Sequence, residues 1–231
     1  MAFVLVHSPL VGPMTWARVA AVLRAAGEAV AVPQLSSPPG LATPYWLRHV
    51  EQIREAVHDG DITGPVMLAG HSGGGALLPI AAARLGVPVT ALLYVDALIP
   101  EDGKSRLDLF ESPEIAREFR VAAVDGLMPV WTAHDLRDTI PDDTLRAAFT
   151  AELRPMPLAV YDEPIPVPEA ATSLRSGYIR FGANPAYDMF AARARAAGWP
   201  VAMLPGRHFH MLVDPATVAG AMRAMTEALA G

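Results

Sequence analysis

The stretch "VMLAGHSGGGALL" (66–78) decides how the rest of the chain is read. An apolar run from Pro65 to Ala69 ends in Gly70-His71-Ser72-Gly73-Gly74, and an alanine- and leucine-rich helix is expected at once. This is G-x-S-x-G in the strand-turn-helix context the motif needs. Its logic is steric. A serine on so tight an elbow is predicted to be strained, which the chain tolerates only if Gly70 and Gly74 let neighbouring backbone come close. The elbow aims the Ser72 hydroxyl at the N-terminus of the next helix, whose free N–H groups favour developing negative charge. Ser72 is the candidate nucleophile.

Outward from the elbow, short apolar runs alternate with stretches of helical period. The runs are 2–6, 29–33, 65–69, 89–95, 177–181 and 200–204. That alternation predicts an α/β fold, about six mostly parallel strands flanked by helices. Trp16, Val19, Ala20 and Leu23 share one helical face before a stop at Gly27, and Val218, Met222, Met225 and Leu229 repeat the stripe after Pro215. The rhythm breaks between Pro100 and Thr172, where a simple crossover needs far fewer residues. Within it, 112–123, 133–139 and 142–153 are expected to be helices, and "RPMPLAVYDEPIPVPEA" (154–170) a proline-rich extended return. We therefore expect a core of residues 1–99 and 173–231, with 100–172 as a helical cap over the C-terminal edge of the sheet, where open α/β sheets bind ligands.

Composition narrows the function. At 231 residues, one well-buried domain is expected. Apolar residues make up 52% and charged residues 18%, which suits a packed core and argues against a disordered chain. A net charge of −6 with no basic block lacks the phosphate-neutralising term of nucleic-acid binding. The absence of cysteine excludes disulfides, thiolate catalysis and Cys-ligated zinc. No basic leader precedes the first apolar run and no uninterrupted apolar segment is long enough to span a bilayer, so a soluble cytoplasmic protein is expected. Seventeen arginines against the single Lys104 look like the codon bias of a GC-rich genome, expected to be bacterial.

A serine nucleophile needs a base. "LPGRHFHMLVDP" (204–215) places His208 and His210 after the last strand and before the final helix, where a triad histidine belongs in this chain order. One residue separates them, so they are expected to point in opposite directions. His208 is the favoured base and His210 a structural histidine; His71 is expected to face away from the pocket. His49, His58 and His134 have no partner legible in the sequence.

Together these residues resemble the α/β-hydrolase superfamily, and more narrowly its compact branch of plant methylesterases and hydroxynitrile lyases. The shared marks run nearly end to end: His7 and Trp16 after the first strand, the elbow at 70–74, the "VDALIP" turn at 95–100, Arg154-Pro155, and the closing run His208, Met211, Leu212, Asp214, Pro215. The resemblance implies an α/β-hydrolase fold and a Ser-His-acid triad, with no metal or cofactor.

Two positions depart from the family's pattern. The family's acid usually follows the strand that here reads "GYIRFG", and that position holds Asn184. An amide can orient an imidazole but cannot stabilise imidazolium as a carboxylate does. Asp96, at the end of the strand after the nucleophile strand, is the favoured replacement, because a carboxylate in "LLYVDALIP" is costly unless partnered. Asp188 is the alternative, and could instead cap the helix 189–197. The second departure is His7-Ser8-Pro9. One oxyanion donor should be Gly73 N–H; the family takes the other from the position of Pro9, which has no N–H. The Leu10 N–H is the expected substitute, with the Ser8 hydroxyl as the other option.

The expected function is a serine hydrolase cleaving an ester, thioester or lactone of a small hydrophobic substrate through an acyl-enzyme. Phe110, Phe119, Met128, Trp131, Phe149 and Met156 supply apolar surface in the cap, more of it cap core than pocket wall. An acyl-transferring cyclase or a lyase on the same scaffold is an alternative, although Phe209 stands where the branch's lyases carry lysine. A catalytically silent ligand-binding protein is the third reading.

Overall fold

The structure, a computed structural model, describes residues 1–42 and 44–230. Its strands are β1 (Ala2–Val6), β2 (Ala29–Ala31), β3 (Val66–Ser72), β4 (Val89–Ala97), β5 (Leu127–Met128), β6 (Met156–Pro157), β7 (Arg175–Phe181) and β8 (Val201–Leu204). Six of them form one sheet in the order β2-β1-β3-β4-β7-β8, and every pairing in it is parallel. The expected architecture holds. Strands β5 and β6 form a separate antiparallel pair that the sequence reading did not anticipate.

The helices are α1 (Met14–Ala25), α2 (Tyr45–Asp59), α3 (Leu78–Ala82), α4 (Pro113–Val121), α5 (Asp143–Glu152), α6 (Ala159–Asp162), α7 (Glu169–Thr172), α8 (Asp188–Ala196), α9 (His210–Val213) and α10 (Pro215–Ala230). Because side chains alternate across a strand, β1 sends Phe3 and Leu5 to one face and Val4 and Val6 to the other. On the first face they meet Trp16 and Val19 of α1 and Val218 and Met222 of α10; on the second, Val50 and Ile53 of α2, Ile80 of α3 and Phe190 of α8. Burial on both sides explains why β3 is apolar along its run instead of alternating.

Several expected boundaries change for local reasons. The run 29–33 pairs only through Ala31, since Pro33 cannot donate to a ladder. Residues 133–139 form turns rather than a helix, because Asp135 Oδ2 accepts from Thr132 N–H and Oγ1 at 2.8 Å each, satisfying the backbone locally. The proline-rich return carries β6, α6 and α7. The strands of the motif run further than expected, β3 through Ser72 and β4 through Asp96, which delivers both residues to the C-terminal edge of the sheet.

The segment between β4 and β7 is tied down by two carboxylates. Prolines precede α1 and α2 and neither supplies a side-chain cap. Glu152 accepts from Met14 N–H at 3.1 and 3.3 Å, and Glu163 from Tyr45 and Trp46 N–H at 2.8 and 2.6 Å, so carboxylates from the inserted segment take one free N–H of α1 and two of α2. No helix among the described residues is long and apolar enough to cross a membrane.

Candidate active site

Ser72 closes β3 with φ +55°, a left-handed backbone that costs a non-glycine residue about 1–2 kcal/mol. Neighbouring glycines make the turn possible. A Cβ on Gly70 would meet the backbone of Gly75 at 3.0 Å, and one on Gly74 the carbonyl oxygen of His7 at 2.7 Å. Asp96 has the same strain, with φ +45° at the end of β4. Tyr178 clamps this second elbow: its hydroxyl accepts from Ala97 N–H and donates to Ala97 C=O, both at 2.9 Å.

The Asp96 carboxylate is fully buried and fully partnered. Its Oδ2 accepts from His208 Nδ1 at 2.8 Å and from Asn184 Nδ2 at 2.6 Å; its Oδ1 accepts from Phe181 N–H at 3.2 Å and faces Arg180 Nη1 at 3.6 Å. Such a set offsets the desolvation of a buried charge. Asp188 lies elsewhere: its Oδ1 takes Arg180 Nε at 3.0 Å and Nη2 at 2.6 Å, so it anchors the guanidinium that faces Asp96 and makes no contact with His208. Asn184 sits 3.0 Å from His208 Nδ1 with its amide committed to Asp96.

With Nδ1 on Asp96, the open nitrogen of His208 is Nε2. The backbone of His208 is held by His71, whose Nε2–H donates to the His208 carbonyl at 2.9 Å. Burial holds the His71 imidazole well below its usual pKa, so it stays neutral with that nitrogen protonated. His210 starts α9 and packs edge-on against Phe181, pointing away from Ser72. His49 bonds Ser37 Oγ at 2.8 Å, while His58 and His134 are exposed.

Ser72 Oγ makes its hydrogen bond with the hydroxyl of Tyr187, at 3.0 Å, and none with His208. The Tyr187 ring lies flat against the His208 imidazole, centroids 4.9 Å apart and planes 16° from parallel. Burial pushes the Tyr187 phenol up, so it stays protonated.

The loop after β1 corrects one expectation. Leu10 lines the cavity at Ser72, but its N–H donates to Ser8 Oγ at 3.3 Å instead of facing the nucleophile. The short side chain of Ser8 captures the amide two residues on, a local turn that serine hydroxyls readily make. Ser8 Oγ also bonds the Tyr161 hydroxyl at 2.9 Å, and this hydroxyl stands over Gly73, where any Cβ would collide with it. His7 fixes the loop from beneath: Nδ1–H donates to Ser8 C=O at 2.8 Å and Nε2 accepts from Leu35 N–H at 3.3 Å. Behind Gly73 lies Arg106, fully buried, with Nε donating to Gly73 C=O at 2.9 Å and Nη1 to Val160 C=O at 2.7 Å. No carboxylate among the described residues comes within 4.0 Å of it; its guanidinium sits 5.5 Å from the centre of the Tyr161 ring.

Ser72, Gly73 and His208 open on a cavity of about 260 Å³, walled by Phe110, Phe119, Trp131, Tyr161 and Tyr187 among others. Three of the six apolar residues singled out in the inserted segment thus reach the pocket. Met128 and Met156 pack with Tyr161 in a separate cluster, and Phe149 packs against the Phe3 face of the sheet. Sequence reasoning missed Tyr161, Tyr187, Arg106 and Arg180, since none falls in a motif; only an arginine inside an apolar strand run (Arg180) carried a signal. Among the described residues no three His, Asp or Glu side chains are grouped to hold a metal ion.

Comparison with known proteins bears on this arrangement. The family described as "Alpha/beta hydrolase family" matches residues 3–221. A carbendazim hydrolyzing esterase from Nocardioides sp. (strain SG-4G) is 28% identical over 245 residues, covering 96% of this chain and 98% of the relative. Among solved structures, an extracellular alpha/beta-hydrolase from a Paenibacillus species, described as sharing structural and functional homology with tobacco salicylic acid binding protein 2, superposes with a TM-score of 0.78 at 20% identity, covering 96% of this chain and 97% of the other. A methylesterase from Arabidopsis superposes with a TM-score of 0.69 at 18% identity, covering 98% and 99%. At these identities the structural likeness speaks for the fold alone.

Proposed function

Since the chain belongs to the alpha/beta hydrolase family, we propose that it is a serine hydrolase that cleaves an ester, thioester or lactone of a small hydrophobic substrate through an acyl-enzyme. The observation that carries this reading is the 2.8 Å contact of His208 Nδ1 with the buried Asp96, beside a serine held on a strained elbow. The name of the carbendazim hydrolyzing esterase supports ester chemistry. Residues 1–99 and 173–231 are read as the catalytic core and 100–172 as its cap.

The geometry supports the following sequence of steps. Asp96 fixes the tautomer of His208 with the proton on Nδ1, leaving Nε2 as the base. The Ser72 hydroxyl turns from Tyr187 to Nε2, gives up its proton and attacks the substrate carbonyl carbon. The carbonyl oxygen becomes an oxyanion, held by Gly73 N–H and by the Ser8–Tyr161 hydroxyl pair, which stands where Pro9 cannot donate. The tetrahedral intermediate collapses, and the imidazolium passes its proton to the departing oxygen or sulfur. His208 then takes a proton from water as its oxygen bonds the acyl carbon, the bond to Ser72 Oγ breaks, and the imidazolium returns the proton to Oγ, which releases the acid and restores Ser72. Arg106 keeps the Gly73 turn and Tyr161 in place, and its charge favours negative charge in front of it.

A panel of p-nitrophenyl esters, thioesters and lactones tests the reading. Turnover of at least one class with a stoichiometric burst, lost by more than about 10³-fold in Ser72→Ala, is the expected result. No turnover of any class, or full activity in Ser72→Ala, would contradict it.

A further inference from the structure

We propose that a second cavity across Tyr187 is a subsite for one uncharged aromatic or short alkyl limb of the substrate, with Tyr187 as the wall controlling access to it. This rests on the serine-hydrolase reading. The second cavity, about 170 Å³, is lined by Leu98, Phe110, Ile115, Ala186, Tyr187 and Phe190, with Glu111 as its one charged neighbour. Leu98, Phe110 and Tyr187 also line the 260 Å³ cavity that holds Ser72 and His208. The two spaces therefore share a partition.

Tyr187 is the part of this partition that touches the reacting groups. Its hydroxyl occupies the hydrogen bond of Ser72 and its ring covers His208. Where Ser72 is the donor of that bond, its turn to Nε2 of His208 breaks it and frees the phenol. Tyr187 sits in the short turn Pro185–Tyr187 ahead of α8, next to exposed Pro185 and Ala186, and its ring packs on His208 and Phe190, so a swing exchanges those two ring contacts and breaks no strand pairing. Swinging joins the two cavities into one two-lobed site.

The lining names the occupant. Apolar carbons from five side chains offer an aromatic or alkyl limb about 0.8 kcal/mol per methylene removed from water, and no hydrogen-bond donor lines the cavity among its named side chains except the Tyr187 hydroxyl. The Glu111 carboxylate repels an anionic limb. A limb bearing carboxylate is therefore excluded, and an uncharged one is accepted.

Two substrate series test this, p-nitrophenyl acetate against hexanoate for the acyl limb and methyl against benzyl butyrate for the alcohol limb. Ile115→Trp fills the second cavity from α4 without touching Ser72 or His208; Tyr187→Ala removes the partition. In one of the series, the long-to-short ratio of kcat/KM should fall about tenfold in Ile115→Trp and rise about tenfold in Tyr187→Ala. Tyr187→Phe, which keeps the wall and loses the bond to Ser72, should leave the ratio at the wild-type value. Ratios within twofold of wild type in both series, in variants whose Ser72 still accepts a fluorophosphonate, would overturn the subsite alone. Wild type that neither labels nor turns over would overturn the hydrolase reading and the subsite with it.

Discussion

Asn184 braces Asp96 from the position where the family usually keeps its acid: the amide Nδ2 lies 2.6 Å from the same carboxylate oxygen that takes His208 Nδ1. Carboxylates at both positions would lie too close to ionise together. On the proposed reading the acid stands one strand over, at Asp96, and the residue at the family's usual position donates to it. Asp96→Ala should lower kcat/KM by about 10⁴-fold. Asn184→Asp should impair activity near neutral pH, whereas Asp96→Asn combined with Asn184→Asp should recover at least tenfold over Asp96→Asn. Steady-state kinetics of the four variants decide this, and an unimpaired Asp96→Ala would end the assignment.

In the proposed mechanism Ser8 and Tyr161 do the work of the missing amide at Pro9. Ser8→Ala should lower kcat by about 10²-fold with little change in KM, in the range measured for a single oxyanion-hole donor. Tyr161→Phe should cost less, because Ser8 keeps its own proton. A kcat for Ser8→Ala equal to wild type would show that the donor lies elsewhere.

Arg106 is buried with no carboxylate partner among the described residues, and two backbone carbonyls depend on it. Arg106→Met leaves Gly73 and Val160 C=O without their donor, a loss of about 2–4 kcal/mol from two unpaired buried groups. Urea denaturation reads this loss. In the same variant Ser72 labelling should slow, since the Gly73 turn loses its support; unchanged stability and labelling would remove Arg106 from the account.

Burial pushes the His7 imidazole down to about 4 from 6.5, and holds His49 and His71 well below the usual range. Between those two pH values the unfolded chain binds a proton at His7 and the folded chain does not. Stability is therefore full above pH 6.5 and is lost as pH falls toward 4, by about 3 kcal/mol from His7 alone. Urea midpoints at pH 7.5 and 5 should differ accordingly, and the difference should narrow in His7→Asn. A midpoint independent of pH would mean that these imidazoles are not held neutral.

Most of the fold was legible because both strand faces are apolar and the elbow carries its own glycines. Ser72, His208 and Asp96 are proposed from chain order, and the structure puts Ser72 and Asp96 at the ends of β3 and β4 and His208 in the loop after β8, with His208 in contact with Asp96. The oxyanion loop was read less well: Pro9 announced the missing amide, but whether Leu10 N–H turned inward depended on Ser8 capturing it, a contact between neighbours that spacing does not reveal. Tyr161 reaches the site from the one-turn helix α6 and Tyr187 and Arg106 from short turns, elements too short for periodicity to mark them. The turns at 133–139 were misjudged as helix because the apolar spacing ignored the Thr132–Asp135 side-chain bonds.

The most direct test of the central claim is labelling with a fluorophosphonate at neutral pH, followed by peptide mapping. The account predicts one adduct per chain, on Ser72, absent in Ser72→Ala and slowed by orders of magnitude in His208→Ala. No adduct on wild type, or an adduct that survives Ser72→Ala, would contradict it.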